Sequence, residues 1–116
     1  MTPPIQVTGI PAGTAMIVVE YNDKSYKPLS RNGGHGIIGY PVSGASANLP
    51  AVPGLTAKLP GGIRVLAKAR GTGDYASNGY LPPCSGGRGN TYQADVKAVD
   101  AGVKVLDKTK MKLGRY

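Results

Sequence analysis

The sequence predicts an all-β fold, and three observations lead to that expectation. Eighteen glycines and ten prolines are spread along the 116 residues, so no segment before residue 100 can sustain a long helix. Several short runs alternate apolar and polar residues, which is the period of a half-exposed strand. Tryptophan and phenylalanine are absent, so the core must consist of aliphatic side chains and tyrosine rings. We therefore expect one domain of packed antiparallel sheets with little or no helix.

The strands of the first half follow from apolar runs and their breakers. Residues 14–20 form an almost unbroken apolar run after a Pro-Ala-Gly turn, which predicts a central strand covered on both faces. A second strand is predicted at 37–42, where Pro41 and the following Ser-Gly-Ala-Ser run end it. Residues 43–62 contain three prolines and a Gly-Gly pair, so we expect a long connection there.

The second half contains the clearest alternation. Residues 63–70 and 92–98 both alternate with a period of two, and each predicts a half-exposed strand. In the tail, Lys108, Lys110 and Lys112 share one face of a predicted terminal strand. Such a lysine row keeps a sheet edge from pairing with a neighbour, although it could also serve in binding.

Charge and targeting signals limit the functional classes only loosely. The net charge of +8 attracts anions of any kind, and half of it lies within residues 97–116. No run approaches the roughly 18 to 20 apolar residues of a membrane span, and the N-terminus lacks signal-peptide features. Cys84 is the single cysteine, so no internal disulfide is expected. We expect a cytoplasmic protein without a membrane span; periplasmic or secreted localisation is the alternative if a signal was trimmed.

Three segments in fixed order carry a resemblance to a known family. They are VTGIPAGTAMIVVEYND at 7–23, GHGIIGYPV at 34–42 and GYLPPCSGGRGNTYQADVKAVD at 79–100. They resemble the xxGVPxGTxSxxLxVxDPDAP, HWxVxNIP and GYxGPxPPxGxxHRYxFxVYALD stretches of the phosphatidylethanolamine-binding protein family, which includes the Raf kinase inhibitor proteins and bacterial relatives. The resemblance implies a Greek-key-like β fold. Residues 1–116 would form one such domain, without the usual N-terminal strand and C-terminal helical region.

His35 is the only histidine, and it lies at the start of a predicted strand between two glycines. Flanking glycines would leave its ring open to a ligand. An unperturbed pKa of about 6.5 would let the ring donate to an anion as neutral imidazole, or bind it more tightly as imidazolium. A histidine hydrogen-bonded at a strand end is the simpler interpretation of the residue alone. In the resembled family, the histidine of the HW stretch lines a small-anion pocket, and His35 occupies that position.

The acidic DPD motif of the family aligns with Tyr21-Asn22-Asp23. Asp23 keeps the second aspartate, whereas Tyr21 replaces the first. A phenol offers one donor and no charge at neutral pH, so Tyr21 either leaves the pocket more receptive to anions or fills it. Asp23 either orients its neighbours in the pocket or caps a turn.

The third segment supplies the remaining candidate ligands. The family's HRY reads Asn90-Thr91-Tyr92 here, so Asn90 keeps an amide donor without charge. Tyr92 keeps the hydroxyl that faces the ligand in relatives. The Ser-Gly-Gly-Arg-Gly loop at 85–89 could turn backbone N–H groups toward an anion while Arg88 supplies charge, and a plain turn is the alternative.

Catalysis and metal binding find little support in the sequence. Cys84 and His35 could form a nucleophilic pair if their loops meet, but nothing local predicts a lowered thiol pKa. One histidine and one cysteine cannot supply the usual closed ligand set of a metal site. No nucleotide-binding glycine motif, zinc-protease motif or pair of catalytic carboxylates is visible. We therefore expect a protein that is not an enzyme and has no cofactor.

The resemblance implies binding of a small anion, such as a phosphate or phospholipid headgroup. The expected ligand-binding residues are His35, Asp23, Tyr92, Asn90, Tyr21 and Arg88. One rival is a protein-interaction or inhibitor module that modulates a kinase or protease and keeps only a vestigial pocket. A less favoured rival is nucleic-acid binding through the basic C-terminal strand, with tyrosines available for base stacking. Homodimerisation across an unpaired sheet edge is a further expectation.

Overall fold

The computed structural model describes residues 2, 4–24, 33–52, 54, 56, 59, 61–69, 77, 79, 80 and 91–115, without the side chains of 23 and 112–115. Within these residues every regular element is a β-strand, which confirms the predicted all-β class. None of them belongs to a helix long and apolar enough to cross a membrane. The strands are β1 (Ile5–Val7), β2 (Met16–Asp23), β3 (Gly36–Pro41), β4 (Ala47–Leu49), β5 (Arg64–Ala67), β6 (Thr91–Val99) and β7 (Val105–Arg115).

The strands form two antiparallel sheets. A small sheet pairs β1 with β4, and a larger sheet has the order β5-β3-β2-β6-β7. The apolar run of β2 is therefore in the centre of the larger sheet, as predicted. Strands β2, β3, β5 and β6 take the spatial order of a Greek key, with the excursion to β4 inserted between β3 and β5.

The core lies on one face of the larger sheet and is completed by the small sheet. Inward-facing positions of β2 lie beside small residues of β6, because Tyr21 is opposite Ala94 and Ile17 is opposite Ala98. Ile5 of the small sheet is buried in the same cluster. The missing phenylalanine and tryptophan are replaced by four tyrosines that are each at most 2% exposed: Tyr21, Tyr40, Tyr80 and Tyr92.

The structure corrects the sequence prediction at the small sheet. Strands β1 and β4 contain three residues each, too few for a period of two to be recognised. The segment 43–62 was predicted to be only a connection, but it contains β4. The β1–β4 pairing joins Ile5 to Leu49 across most of the first half of the chain, and no local pattern encodes such a pairing.

A tight hairpin joins β6 to β7, and β7 lies at the edge of the larger sheet, as predicted. Asp100 Oδ1 accepts hydrogen bonds from the backbone N–H groups of Gly102 at 2.9 Å and Lys104 at 2.8 Å. Among the described residues, Val103 is the one non-glycine with a positive φ, at 64°. Every residue from 101 to 111 is exposed.

Candidate functional site

The segments that the sequence singled out meet at one corner of the larger sheet. Strand β2 ends at Asp23, which is the ladder partner of Tyr92 near the start of β6. One residue further, the Lys24 N–H donates to the Thr91 carbonyl at 2.8 Å. On the other side of β2, Tyr21 pairs with the first residue of β3, which directly follows His35. The antiparallel ladders therefore bring all three segments together.

A side chain from β2 holds the turn that leads to the histidine. The Asn22 Oδ1 atom accepts hydrogen bonds from the backbone N–H groups of Gly33 at 2.8 Å and Gly34 at 3.3 Å. The His35 N–H then donates to the Tyr21 carbonyl at 2.8 Å. Asn22 is 1% exposed, so these contacts are shielded from water. The turn is fixed to the sheet on both sides of its tip.

The glycine after the histidine is required by two constraints. Gly36 has φ of 119°, a conformation that residues with a side chain rarely adopt. A Cβ atom at this position would also lie 3.0 Å from the Gly79 carbonyl oxygen and 3.1 Å from Tyr80 Cα. The absence of a side chain at Gly36 therefore leaves room for the backbone of residues 79–80, and this space is not available to a ligand.

The histidine ring itself is buried. His35 is 3% exposed, so the expectation that its flanking glycines leave the ring open is wrong for the molecule as it stands. Its ring meets the Tyr92 ring edge-on, with centroids 5.1 Å apart and planes at 90°. Tyr92 is 2% exposed. Two of the expected ligand-binding residues, far apart in the sequence, are thus in direct contact.

Tyr21 points into the core from the same strand. Its hydroxyl lies 3.1 Å from the Tyr40 hydroxyl, and its ring packs against Tyr80 with centroids 4.6 Å apart at 67°. Burial raises the pKa of the Tyr21 phenol far above its ordinary value, and the neighbouring Tyr40 adds to the effect. Tyr21 therefore stays neutral and occupies interior space.

The remaining expected ligands are only partly located. Asp23 has a defined backbone position opposite Tyr92, whereas its side chain lies outside the described part of the chain. Asn90, Arg88 and Cys84, together with the glycine loop at 85–89, also lie outside the described residues.

Sequence reasoning missed the role of Asn22. The predicted strand ended at residue 20, whereas β2 continues to Asp23 and so includes Asn22, whose buried amide needs partners. The Asn22 Nδ2 group also donates to Asp95 Oδ2 at 3.4 Å, on the face of the sheet away from the core. There Gln93 Nε2 donates to Asp95 Oδ1 at 3.0 Å. Asn22 thus links the turn before His35 to side chains of β6.

No metal centre accompanies this corner in the described part of the chain, where no group of three or more His, Cys, Asp or Glu side chains is placed to hold an ion. Comparisons with known proteins found no matching family model, no matching curated protein and no matching solved structure. The geometry of the corner and the resemblance of the three segments therefore carry the functional inference.

Proposed function

We propose that the protein is a non-enzymatic binding protein that holds a small anion, a phosphate or phospholipid headgroup, at the corner formed by His35 and Tyr92. The observation that carries this proposal is the ring contact between these two residues, with centroids 5.1 Å apart. Imidazole and phenol both donate hydrogen bonds to anions, and imidazole can add a positive charge. The pair lies where the end of β2 adjoins the start of β6.

The surroundings of the pair favour an anion. The exposed Lys24 follows β2 at this corner, and the whole chain carries a net charge of +8. Hydrogen bonds to a charged group are stronger in a buried environment than in water, because the local dielectric is lower. His35 would donate to the anion, while Tyr92 would add a neutral hydrogen bond. Asp23 would orient its neighbours.

The resemblance supplies the remaining part of the proposed site. Asn90 directly precedes Thr91, whose carbonyl accepts the Lys24 N–H, so Asn90 is covalently joined to the corner. Arg88 is two residues further back and would contribute charge to the ligand. The buried Tyr21 supports the His35 backbone through its carbonyl, and its hydroxyl has a partner in Tyr40.

A protein-interaction function is the second candidate, and the exposed edge of β7 favours it. Nucleic-acid binding receives less support from the described residues. All four described tyrosines are at most 2% exposed, so none of them offers a surface for base stacking. Affinity for an oligonucleotide that falls steeply with salt would be the sign of that function.

Calorimetry with sulfate and with phosphoethanolamine tests the proposed pocket. Sulfate keeps its charge over a wide pH range, and phosphoethanolamine reports whether the headgroup is preferred over the bare anion. We expect His35→Gln to weaken binding about tenfold or more, because the glutamine amide keeps a donor but not the positive charge that imidazole can add. Tyr92→Phe should weaken binding about fivefold, because it removes the hydroxyl and keeps the ring against His35.

Tyr40→Phe is the matched control. It removes the hydroxyl of another buried tyrosine that lies within the core and bonds to Tyr21. It should leave the affinity unchanged. Equal affinities in wild type and His35→Gln, with the variant folded by circular dichroism, would contradict the assignment of this corner.

A further inference from the structure

Strand β7 presents a long sheet edge with unusual exposure. It has 11 residues, more than any other strand in the described part of the chain, and among those residues it pairs only with β6. Apolar side chains are exposed along it: Val105 is 47% exposed, Leu106 36% and Met111 39%. Edge strands are normally kept short or covered because their free N–H and C=O groups can pair with another strand. This edge is neither short nor covered by described residues.

The middle of β7 is regular enough to accept a neighbour. Register shifts occur between Ala98 and Val99 and between Tyr92 and Gln93 of β6. Between these two irregularities, residues 107–112 of β7 pair with β6 without interruption. An uninterrupted run of about six residues is sufficient for an extended peptide to add as a further strand.

One backbone group at this edge already bonds to a carboxylate. The Lys108 N–H donates to Asp107 Oδ1 at 2.8 Å, and both residues are exposed. In an antiparallel ladder, alternate residues direct their N–H and C=O groups away from the paired neighbour. The Asp107 carboxylate therefore takes the place that a carbonyl of an added strand would occupy.

The charges of β7 disfavour pairing with the β7 edge of a second copy of the chain. If two β7 strands paired antiparallel about a twofold axis at residue 109, Lys108 would face Lys110 of the other copy. An axis at 108 or 110 would place a lysine opposite itself, and an axis at 107 would place Asp107 opposite Asp107. Like charges directly opposite each other destabilise a strand pair. A homodimer formed by pairing two β7 edges is therefore disfavoured.

The same charges favour an acidic strand. Lys108 and Lys110 alternate along β7, as the residues on one face of a strand do, and their ladder partners on β6 are Lys97 and Asp95, respectively. Lys97 is paired with Glu20 at 2.8 Å, whereas Lys108 and Lys110 make no ion pair with the other described residues. An incoming strand with carboxylates at alternate positions would meet both lysines. The lysine row thus rejects a like-charged edge and admits an oppositely charged one.

We propose that the β7 edge binds a partner protein by strand addition, and that the partner contributes an extended segment with acidic residues at alternate positions. This inference concerns a surface separate from the His35 corner and stands independently of the proposed anion site. It gives the lysine row a selective role in addition to its protective one.

The test uses the full chain and a synthetic peptide that alternates glutamate and threonine over about nine residues, followed by backbone amide NMR. We expect chemical-shift changes and slowed amide exchange along 107–112. Lys108→Glu together with Lys110→Glu should weaken binding about tenfold or more, because two attractions become repulsions. Arg64→Glu together with Lys68→Glu changes the charge equally near β5, at the opposite edge, and should have little effect.

Two further variations separate strand addition from simple charge attraction. Asp107→Ala should strengthen peptide binding about threefold or more, because it removes the carboxylate that competes for the Lys108 N–H and repels the peptide. Peptides N-methylated at every second residue keep their charge but lose alternate donors. One of the two methylation patterns should abolish binding, because only alternate peptide amides face β7.

Equal binding of both methylated peptides, or displacement of the peptide by an oligonucleotide with no dependence on methylation, would overturn the proposal. Either result would make β7 a general polyanion surface. Unchanged peptide affinity in the Lys108→Glu, Lys110→Glu variant would overturn it as well.

Discussion

Asn22 shows how much of the candidate site depends on a single amide. Its oxygen accepts hydrogen bonds from two backbone N–H groups of the glycine turn before His35, and its nitrogen donates to the Asp95 carboxylate of β6. A buried amide with this many partners fixes the geometry of the turn more strongly than an apolar contact would, because each lost hydrogen bond leaves a buried polar group unsatisfied. The position of His35 therefore depends on a neighbour that would not itself touch the ligand.

Replacing Asn22 with alanine tests this positioning role. We expect Asn22→Ala to lower the free energy of unfolding by about 1 to 3 kcal/mol, because two buried N–H groups lose their acceptor. The His35 ring resonances should shift, and sulfate affinity should fall even under conditions where the variant is folded. Gln93→Ala is the control, because it removes one hydrogen bond to Asp95 and leaves the turn intact. An unchanged His35 spectrum in Asn22→Ala would refute the role.

The buried Tyr21 phenol should make the free energy of unfolding depend on pH in the alkaline range. Its pKa is raised above the ordinary value of 10.0 by burial first and by Tyr40 second. Above about pH 10 the Tyr21 hydroxyl loses its proton in the unfolded chain but keeps it in the folded chain. The contribution of Tyr21 to the free energy of unfolding is therefore fully present below about pH 10 and is lost as the pH rises further. The free energy of unfolding should fall by about 1.4 kcal/mol per pH unit above about pH 10 on account of Tyr21 alone.

Urea unfolding of wild type and Tyr21→Phe between about pH 9 and about pH 11 measures this contribution. Tyr21→Phe should be less stable at neutral pH by about 1 kcal/mol, because the Tyr40 hydroxyl loses its partner. Its stability should then fall less steeply with pH than that of wild type. Parallel pH profiles would show that the Tyr21 hydroxyl is accessible to water in the folded state.

At the scale of elements, the hairpin between β6 and β7 stores strain in one residue. Val103 adopts φ of 64° although a β-branched side chain disfavours the left-handed region. The Asp100 carboxylate holds the turn by accepting from Gly102 and Lys104, and Val103 itself is 72% exposed. The side chain at this position contributes little burial to offset its unfavourable backbone conformation.

Val103→Gly should therefore stabilise the protein by up to about 1 kcal/mol, because glycine adopts a positive φ without steric cost. Thermal or urea unfolding measures the change. Gly102→Ala in the same turn is the control: its added Cβ would lie 3.4 Å from Asp100 Oδ1, an ordinary contact, and it should change stability little. A destabilised Val103→Gly variant would mean that the valine side chain makes contacts that outweigh the strain.

The strands that the sequence predicted are those with enough residues to show a pattern. Strands β2 and β6 have 8 and 9 residues, and their periodicity reports whether one or both faces are covered. The terminal lysine row predicted an edge, and β7 is an edge. Strands β1 and β4 could not be predicted, because three residues carry no period and their pairing depends on the fold of everything between them.

In the molecule as a whole, the two proposed binding surfaces belong to one sheet but are separate from each other. The His35 corner lies where β2, β3 and β6 adjoin, whereas the β7 edge forms one lateral boundary of the same sheet. The net charge of +8 draws anions toward both, so affinity alone does not distinguish them. Variants at His35 and variants at Lys108 and Lys110 should therefore affect different ligands.

The proximity of His35 and Tyr92 could be expected from the sequence, whereas the burial of the His35 ring could not. The resemblance proposed that His35 and Tyr92 share a site, and the antiparallel order of β3, β2 and β6 brings their rings into contact. Burial of the His35 ring could not be predicted from its glycine neighbours, because the ring packs against Tyr92 from a distant part of the sequence. The role of Asn22 was missed because its partners Gly33 and Gly34 lie 11 and 12 residues later in the chain, and no local pattern identifies them.

The most direct test of the anion site is an NMR titration of the full chain with sulfate, observing the His35 ring and the backbone amides. We expect saturable shifts at His35, at the glycine amides of 33, 34 and 36, and at Lys24 and Tyr92, with little change along β5. Shifts confined to the lysines of β7, or no shifts at His35 while the protein stays folded, would contradict the proposed anion site.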